Sequence, residues 1–434
     1  MPSLMTRVLA TPRSRFAVAR SPRPDGAARA VVARAALPEH RERADARAAP
    51  PLNRRAAVLG TLSAAAAAAG TLTFPRVSLA DDAADSSPAE PPSPPPRRER
   101  KRVIVTGANS GIGFDAAAKL AASGNDVVLA CRTEAKAREA IARIEADASS
   151  AGVALPLRGA LIPAECDLCD LSSVRRFADA VSSSGAPVDV LALNAGIQYA
   201  GDPVVHRTRD GFEMTFGTNH LGHFLLANLL LPTMERSFAT APGGARPRVI
   251  VTASEVHDPS SPGGNVGLGA GLGDLAGLER DGAAFEMLGG GAYDGDKAYK
   301  DSKLCNVLFA KELERRLERA GSPVVVNAFG PGLITRTGFF RYQNPLFVKL
   351  FDFATNDIFH VAETVDGGGD CLVYMIQSPE LEGVGGVYLN NGIAPGVGKT
   401  GHKFEIGEVS EEGRDEVEAA ALWKASEKLV GLAA

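Results

Sequence analysis

The sequence predicts an α/β fold in a single domain: a doubly wound parallel sheet with helices on both faces. Beyond residue 100, short runs rich in valine and isoleucine alternate with helical patterns, which is the arrangement that produces such a sheet. A glycine-rich turn at residues 106–113 joins the first strand to the first helix, as in Rossmann-like folds. Beyond residue 100, the sequence shows no internal repeat, and we expect no second domain.

The first unit sets the topology. A strand at 103–105, a helix from about 112 to 122 and a strand at 126–130 form a compact βαβ unit, and such units have parallel strands and a right-handed crossover. The same alternation then continues. We expect, in order, a helix at 135–148, a strand near Leu161, a helix at 172–181, a strand at 188–193, a helix at 221–234, a strand at 248–252, a helix at 299–319 and a strand at 324–328.

The composition changes sharply before this region. Residues 1–55 contain twelve arginines against four acidic residues, which is typical of an organelle transit peptide, with a disordered tail as the alternative. Arg54 and Arg55 precede an apolar run at 56–74, and the small residues Ser78-Leu79-Ala80 follow it. These features indicate a twin-arginine thylakoid signal behind the transit peptide.

These boundaries define the expected organisation and partners. Residues 1–80 are the targeting region, the proline-rich residues 81–100 are a stiff linker, and residues 101–434 form the domain. We expect a chloroplast protein, in the thylakoid lumen or in peripheral contact with the thylakoid membrane, and the stroma, which supplies nicotinamide cofactors, is the alternative to the lumen. The net charge of -4 lacks the basic excess that nucleic-acid binding requires, so no nucleic-acid partner is expected.

The glycine turn is the first candidate binding site. Gly107 allows the chain to turn, Gly111 lets a pyrophosphate approach the backbone, and Gly113 lets the helix pack closely on the strand. Ser110 and Ile112 complete the turn, where the helix N-terminus adds amide donors and partial positive charge. A structural loop is the alternative, but the flanking strand and helix favour a dinucleotide site.

The end of the second strand distinguishes the two nicotinamide cofactors. Enzymes that prefer NAD usually place an acidic residue there to bind the ribose 2′-hydroxyl. This chain has Arg132 instead, with Lys136 one turn later. Because an arginine can bind a 2′-phosphate through paired donors, the sequence predicts NADPH as the cofactor. Two solvated surface cations are the alternative interpretation.

Tyr299 and Lys303 are the candidate catalytic pair. They are four residues apart and therefore lie on the same face of the predicted helix. A free tyrosine ionises only near pH ~10, and a neighbouring cation favours its phenolate. We therefore expect Lys303 to lower the pKa of Tyr299, which then acts as the proton donor. Because this spacing is common in helices, the prediction depends on the other motifs.

From about Lys101 to its end, the chain resembles the short-chain dehydrogenase/reductase family. The resemblance rests on motifs that occur in the family's order: the glycine turn, Asp167-Leu168, Asn194-Ala195-Gly196, Asn219, Ser254, Tyr299 with Lys303, and Pro331-Gly332. It implies that hydride leaves the nicotinamide while Tyr299 delivers a proton to the other end of the reduced bond.

The resemblance also implies a role for each of the remaining motif residues. Asp167 and Leu168 would border the adenine, and Asn219 would hold a water of the proton relay. Ser254 would orient the reacting group. The residues that would support the cofactor or lie at the nicotinamide are Asn194, Ala195, Gly196, Tyr299, Lys303, Pro331, Gly332 and Thr335. Taken singly, Asn219 could be a helix cap, Ser254 a strand-end hydroxyl and Asp167 a turn residue.

Other stretches resemble one group of the family, the light-dependent protochlorophyllide reductases. Forty-four residues separate Ser254 from Tyr299, an insertion placed where the substrate pocket would be altered. The resembling stretches are 217–226, 297–303, 338–341, 345–347 and 423–432. The implied substrate is a large apolar, tetrapyrrole-like molecule, in agreement with plastid targeting.

Leu333 departs from that group, which has a cysteine associated with substrate reduction at this position. Leucine has no exchangeable proton, so a dark plastid reductase acting on another large carbonyl or pigment is an alternative. A non-catalytic NADP-binding regulatory protein is a third, against which the set of Asn219, Ser254, Tyr299 and Lys303 argues. No metal is expected, because the C-x-x-C pair Cys166 and Cys169 has no second pair nearby.

Overall fold

The computed structural model describes residues 100–241, 244–335, 342–343, 345–358, 362–393 and 402–432. The expected transit peptide, twin-arginine signal and linker up to residue 99 lie outside the described residues. The same holds for residues 338–341, one of the stretches that resemble protochlorophyllide reductases.

The described strands form one sheet in the order β3-β2-β1-β4-β5-β6-β7-β8. Adjacent strands from β3 through β7 are parallel, and β8 is antiparallel to β7. The central strands are buried on both faces, so they read as continuous apolar runs. The bounds are β1 (Arg102–Thr106), β2 (Asp126–Cys131), β3 (Leu161–Glu165), β4 (Val190–Leu193), β5 (Arg248–Thr252), β6 (Val325–Gly330), β7 (Tyr388–Ile393) and β8 (His402–Ile406).

Helices cover both faces of this sheet. Side chains of α1, α2 and α8 form one apolar core, and those of α3, α4, α6 and α9 form the other. A single turn at Met214–Phe216 and a π-helical turn at Gly217–Leu221 lead into α4. The bounds are α1 (Gly111–Ala122), α2 (Glu134–Ser150), α3 (Leu171–Ser183), α4 (Gly222–Ala239), α5 (Ala276–Asp281), α6 (Gly295–Ala320), α7 (Pro345–Phe353), α8 (Val365–Gln377) and α9 (Glu416–Leu429).

The predicted fold class is confirmed, with differences in single elements. Helix α6 begins at Gly295, four residues before the predicted start, because Asp294 caps it by accepting from the backbone amides of Asp296 and Lys297. Helix α8 contains the run 367–369 of three glycines, which disfavours a helix in isolation. The run is accommodated by packing, since a Cβ atom at Gly368 would collide with Ile334.

The sheet also fixes where a ligand can bind. The strand order reverses between β1 and β4, and in open α/β sheets this switch point leaves a crevice at the carboxyl ends of the strands. The loops after β1, β2, β4, β5 and β6 all open onto this crevice. In the part of the chain that the structure describes, no helix has the length and apolarity needed to cross a membrane.

Candidate active site

The glycine turn after β1 is closed by contacts that leave no room for side chains. Gly107 has φ +68°, a conformation that favours glycine. A Cβ atom there would lie 3.0 Å from Ala195 Cα, and one at Gly113 would lie 2.5 Å from Asn194 Nδ2. The turn is therefore packed directly against the loop after β4.

The N-terminus of α1 fits a bound phosphate. Ser110 is its N-cap residue but makes no side-chain cap hydrogen bond, whereas side chains cap α2, α3, α6 and α9. Gly111 and Ile112, the first residues of α1, line the crevice. Amides at a helix start that lack a side-chain acceptor are suited to bind a pyrophosphate.

Thr106 joins this turn to the loop after β4. Its hydroxyl oxygen accepts from the backbone amides of Asn194 at 2.9 Å and Ala195 at 3.0 Å. The Asn194 side chain donates back to the carbonyl of Thr106 at 3.0 Å. Together with Gly196, which also lines the crevice, these residues form the expected support for the cofactor.

Three cationic side chains lie at the end of the crevice that is formed by the loop after β2 and by α2. The predicted residues Arg132 and Lys136 are both exposed and line it. Arg143 lines it too: its guanidinium lies 4.3 Å from the centre of the Phe114 ring and donates to the carbonyl of Asn109 at 3.4 Å. Sequence reasoning missed Arg143, although its spacing of seven residues from Lys136 places both on one helix face.

Asp167 and Leu168 also lie at this end. The carboxylate of Asp167 accepts from the amide of Cys169 at 3.1 Å, so it is both a turn residue and part of the crevice wall. Burial raises the pKa of the Cys166 and Cys169 thiols. The described residues contain no cluster of histidine, cysteine or carboxylate side chains able to hold a metal.

Tyr299, Ser254 and Lys303 come together where β5 meets α6. The Ser254 hydroxyl is hydrogen-bonded to the Tyr299 phenol. Lys303 Nζ lies 5.6 Å from the centre of the Tyr299 ring and donates to the carbonyl of Thr252 at 3.0 Å. All three side chains line the crevice, so a phenol, a hydroxyl and an ammonium face one space.

Burial governs the ionisation of this group. It raises the pKa of Tyr299 above its ordinary value, and the Ser254 hydrogen bond opposes the rise. It also lowers the pKa of Lys303 to about 8. The pKa of Tyr299 is thus not lowered as the sequence led us to expect, because desolvation by burial is the largest influence on it and the nearby Asp296 adds to the rise. The phenol therefore holds its proton, as a proton donor must.

Asn219 lies behind this group rather than on the crevice wall. Its side chain accepts from the amide of Ile197 at 2.9 Å and donates to the carbonyl of Ile197 at 2.9 Å and to Ser302 Oγ at 3.0 Å. Its carbonyl accepts from His223 Nδ1 at 3.1 Å. Asn219 therefore ties the loop after β4 to α6.

The loop after β6 places two of its three predicted residues in the crevice. Pro331 and Gly332 line it, as does Leu333. Thr335 does not, because its hydroxyl donates to Asp352 Oδ1 at 2.6 Å and accepts from Asn356 Nδ2 at 2.9 Å. Thr335 therefore fixes the chain beyond the site instead of facing it.

The crevice is one continuous cavity of about 1550 Å³. It extends from the glycine turn past Tyr299 to a second region that includes part of the insertion before α6. Residues of that second region are Gln198, Glu255, Val256, Pro262, Gly263, Val266, Lys300, Tyr342, Gln343 and Phe351. One space can therefore hold a dinucleotide and a large second molecule side by side.

Comparisons with known proteins agree with this geometry. The short chain dehydrogenase family matches residues 101–266. The chain is 36% identical over 334 residues to the chloroplastic protochlorophyllide reductase of Cucumis sativus, a match that covers 76% of this chain and 78% of that protein. It is 35% identical over 368 residues to the protein of the same name from Chlamydomonas reinhardtii, covering 84% and 86%.

A solved structure is similar as well. The crystal structure of an uncharacterised protein from Mycobacterium paratuberculosis aligns with a TM-score of 0.53 and 32% identity, covering 78% of this chain and 96% of that one. Sequence, sheet order and site geometry lead to the same assignment. The chain belongs to the short-chain dehydrogenase/reductase family of oxidoreductases, which use NAD(H) or NADP(H), and it is related to the protochlorophyllide reductases.

Proposed function

We propose that the protein is a plastid NADPH-dependent reductase of a large apolar, tetrapyrrole-like substrate, with Tyr299 as the proton donor. The observation that carries the proposal is the single cavity that joins the glycine turn to the Ser254–Tyr299–Lys303 group and continues beyond it. Two relatives, the chloroplastic protochlorophyllide reductases of Cucumis sativus and Chlamydomonas reinhardtii, support the substrate class and the compartment.

The residues of this chain have separate tasks in the proposed reaction. NADPH supplies the hydride when bound. The Tyr299 hydroxyl gives its proton to the other atom of the reduced double bond, so that the substrate gains two hydrogens and the phenolate is reprotonated from solvent. Ser254 holds the phenol through its hydrogen bond, and the Lys303 ammonium stabilises the negative charge that forms. Asn219 fixes the loop beside them.

Turnover of protochlorophyllide tests this function. Illuminated wild-type protein with NADPH is expected to convert the pigment, seen as loss of its absorbance. Tyr299→Phe should lower the rate by about 10²–10⁴-fold, the usual contribution of a general acid, while changing NADPH affinity far less. Tyr374→Phe is the matched control, because its hydroxyl contacts Glu380 outside the cavity. Equal rates for wild type and Tyr299→Phe would contradict the role of Tyr299.

Leu333 favours a second candidate function, a dark reductase of another large carbonyl or pigment. Its apolar side chain lines the cavity beside Gly332, where the protochlorophyllide reductases that the chain resembles have a cysteine. The dark reductase should oxidise NADPH with a panel of large carbonyl compounds at the same rate in light and darkness. If the protein instead reduces protochlorophyllide, Leu333→Cys is expected to raise the rate at which the pigment is converted in light.

NADPH rather than NADH is the proposed cofactor, held by Arg132, Lys136 and Arg143. Arg132→Gln and Arg143→Gln should each weaken NADPH binding about tenfold or more, since a charged hydrogen bond contributes about 1.5–3 kcal/mol, and should leave NADH binding unchanged. Arg138→Gln is the control, because Arg138 pairs with Glu134 and does not line the cavity. Equal losses for both cofactors would exclude recognition of the 2′-phosphate.

The proposed compartment is the chloroplast. A fluorescent reporter that carries residues 1–80 should accumulate in chloroplasts, and a cytosolic reporter would contradict the proposal. If the twin-arginine signal acts, the wild-type leader should deliver the reporter to the thylakoid lumen. Replacing Arg54 and Arg55 by lysine should then retain the reporter in the stroma. If the reporter with the wild-type leader stays in the stroma, the protein acts on the stromal side of the thylakoid membrane.

A further inference from the structure

His257 lies three residues after Ser254, at the end of a 3₁₀ turn formed by Glu255–His257. Its side chain is buried, with 1% exposure, and it does not line the cavity. We propose that His257 is a positioning residue, which fixes Ser254 for the reaction and connects it to the segment that precedes α9. The inference rests on the proposed function and deepens it.

The two ring nitrogens of His257 have partners that fix one tautomer. Nδ1 lies 2.6 Å from the backbone carbonyl of Ser254, which can only accept. Nε2 lies 3.3 Å from the backbone amide of Ser410, which can only donate. The ring is therefore neutral, with its proton on Nδ1. Burial acts in the same direction by lowering the pKa of His257.

The contact with the Ser254 carbonyl controls the direction of the Ser254 side chain. That carbonyl accepts from His257 twice, from Nδ1 and from the backbone amide at 3.2 Å. Ser254 has extended backbone angles, φ -167° and ψ 155°, and its hydroxyl accepts weakly from the amide of Val256 at 3.5 Å. Holding the carbonyl thus holds the direction of the bond from Cα to Cβ, and the contacts with the Val256 amide and the Tyr299 phenol set the rotation of the hydroxyl about that bond.

The surroundings of the ring keep it in place. Tyr388 on β7 packs edge-on against it, with the ring centres 5.1 Å apart. Two charged groups act on it in opposite directions: Asp258 favours protonation of the ring and Lys311 on α6 disfavours it. The ring therefore contacts β7 and the segment at Ser410 together, and it transmits their placement to Ser254.

A matched pair of substitutions separates the two contacts of the ring. In His257→Asn, the amide nitrogen occupies the place of Nδ1 and keeps the donor to Ser254. In His257→Gln, the longer side chain places an oxygen near Nε2 and keeps the acceptor for Ser410, but the donor is lost. If the ring acts through Ser254, His257→Asn should keep the wild-type placement of the Ser254 hydroxyl, and His257→Gln should lose it.

Tyr299 gives a readout that requires no substrate. With ¹³Cζ-labelled tyrosine, the Tyr299 resonance is assigned by its loss in Tyr299→Phe, and Ser254→Ala shows how it shifts when the serine hydrogen bond is removed. His257→Gln is expected to shift the resonance in the same direction as Ser254→Ala. His257→Asn should leave it near the wild-type position. A shift of equal size in both His257 variants would overturn the inference.

Steady-state kinetics provide the second readout. His257→Gln should lower kcat about tenfold or more without raising KM, as expected when an interaction made in the transition state is lost, and it should add nothing in a Ser254→Ala background. Equal kcat losses in the two His257 variants, in proportion to melting temperature, would reduce His257 to a structural residue and overturn the inference. If neither the wild type nor any variant converts the pigment, yet the Tyr299 resonance shifts as described, the proposed substrate is wrong. The positioning role of His257 is then still supported.

Discussion

Gly113 shows how closely a single residue controls the cofactor turn. A Cβ atom at this position would lie 2.5 Å from Asn194 Nδ2 and 2.9 Å from the carbonyl oxygen of Gly107. Both groups are held, since Asn194 is bonded to Thr106 and Gly107 has a positive φ. The extra atom can be admitted only by moving the turn away from the loop after β4.

Gly113→Ala is therefore expected to lower the free energy of unfolding by about 1–3 kcal/mol, the usual effect of overpacking, and to weaken NADPH binding. Urea unfolding and cofactor titration measure the two effects. Ala118→Ser, on the same helix and only partly buried, is the control and should change both by little. Unchanged NADPH affinity in Gly113→Ala would show that the turn does not contact the cofactor.

Helix α6 carries both Tyr299 and Lys303 and also anchors the insertion before it. Lys297 Nζ donates to the carbonyl of Gly271 at 2.7 Å and to the Asp301 carboxylate at 2.7 Å. Asp301, which is buried, accepts in turn from the amide of Gly271 at 3.0 Å. Lys300 adds a bond to the carbonyl of Leu268 at 3.0 Å. The segment at 268–271 is thus bound to the helix that holds the candidate proton donor.

Lys297→Met should destabilise the protein in a pH-dependent way. The pKa of Asp301 is raised to about 6 by burial, which Lys297 partly opposes, and removing the lysine raises it further. Above that pKa the buried carboxylate is charged and unpaired, which costs about 3–5 kcal/mol. Below it the acid is protonated, so the destabilisation should shrink as pH falls from 8 to 5.5.

Chemical unfolding at both pH values measures this difference. Adding Asp301→Asn to Lys297→Met removes the charge and should recover most of the loss at pH 8. A loss of equal size at both pH values would show that the lysine acts through packing and its bond to the Gly271 carbonyl, and not through the charge of Asp301.

At the scale of the whole molecule, two buried histidines, His220 and His223, stay neutral. Burial lowers the pKa of His220 to about 3 and that of His223 to about 4. Between these values and the ordinary pKa near 6.5, the unfolded chain binds protons that the folded protein excludes. The contribution of these two histidines to stability is therefore fully present above about pH 6.5 and is lost as pH decreases.

His220→Phe should reduce this acid sensitivity. His220 packs against Phe216 with 5.1 Å between ring centres, and its Nδ1 has no hydrogen-bond partner in the described part of the chain. A phenyl ring should fit the same space at the loss of the bond to Ser426. Melting temperatures between pH 7 and pH 4.5 should fall less steeply than in wild type. A parallel fall would assign the acid sensitivity to other groups.

How far the sequence predicted the site depends on the distance between the groups involved. Tyr299 and Lys303 were placed on one face by helical spacing alone, and the glycine turn by its neighbouring strand and helix. The raised pKa of Tyr299 was not predicted, because desolvation depends on residues far away in the chain. Thr335 likewise contacts Asp352 on α7 and Asn356 in the turn after it. No local sequence pattern predicts these contacts.

The fold shows the same division. The βαβ alternation predicted the parallel strands through β6, because each unit is short and local in sequence. The elements after β6 were not predicted one by one. Helix α8 contains a glycine run that only tertiary packing accommodates, and β8 turns back antiparallel on β7. Local propensity cannot represent either feature.

The π-helical turn at Gly217–Leu221 has a consequence for how this chain tolerates a change in length. A π turn holds one residue more than an α turn and is frequent at functional sites. Deleting Thr218 would give a more regular helix. Because each residue of an α-helix advances the direction of its side chain by about 100°, the shorter chain could not direct Asn219 at Ser302 and still keep Phe216 in the core. The extra residue of the π turn therefore allows Asn219 to contact Ser302 while Phe216 stays in the core, which a regular α-helix would not allow.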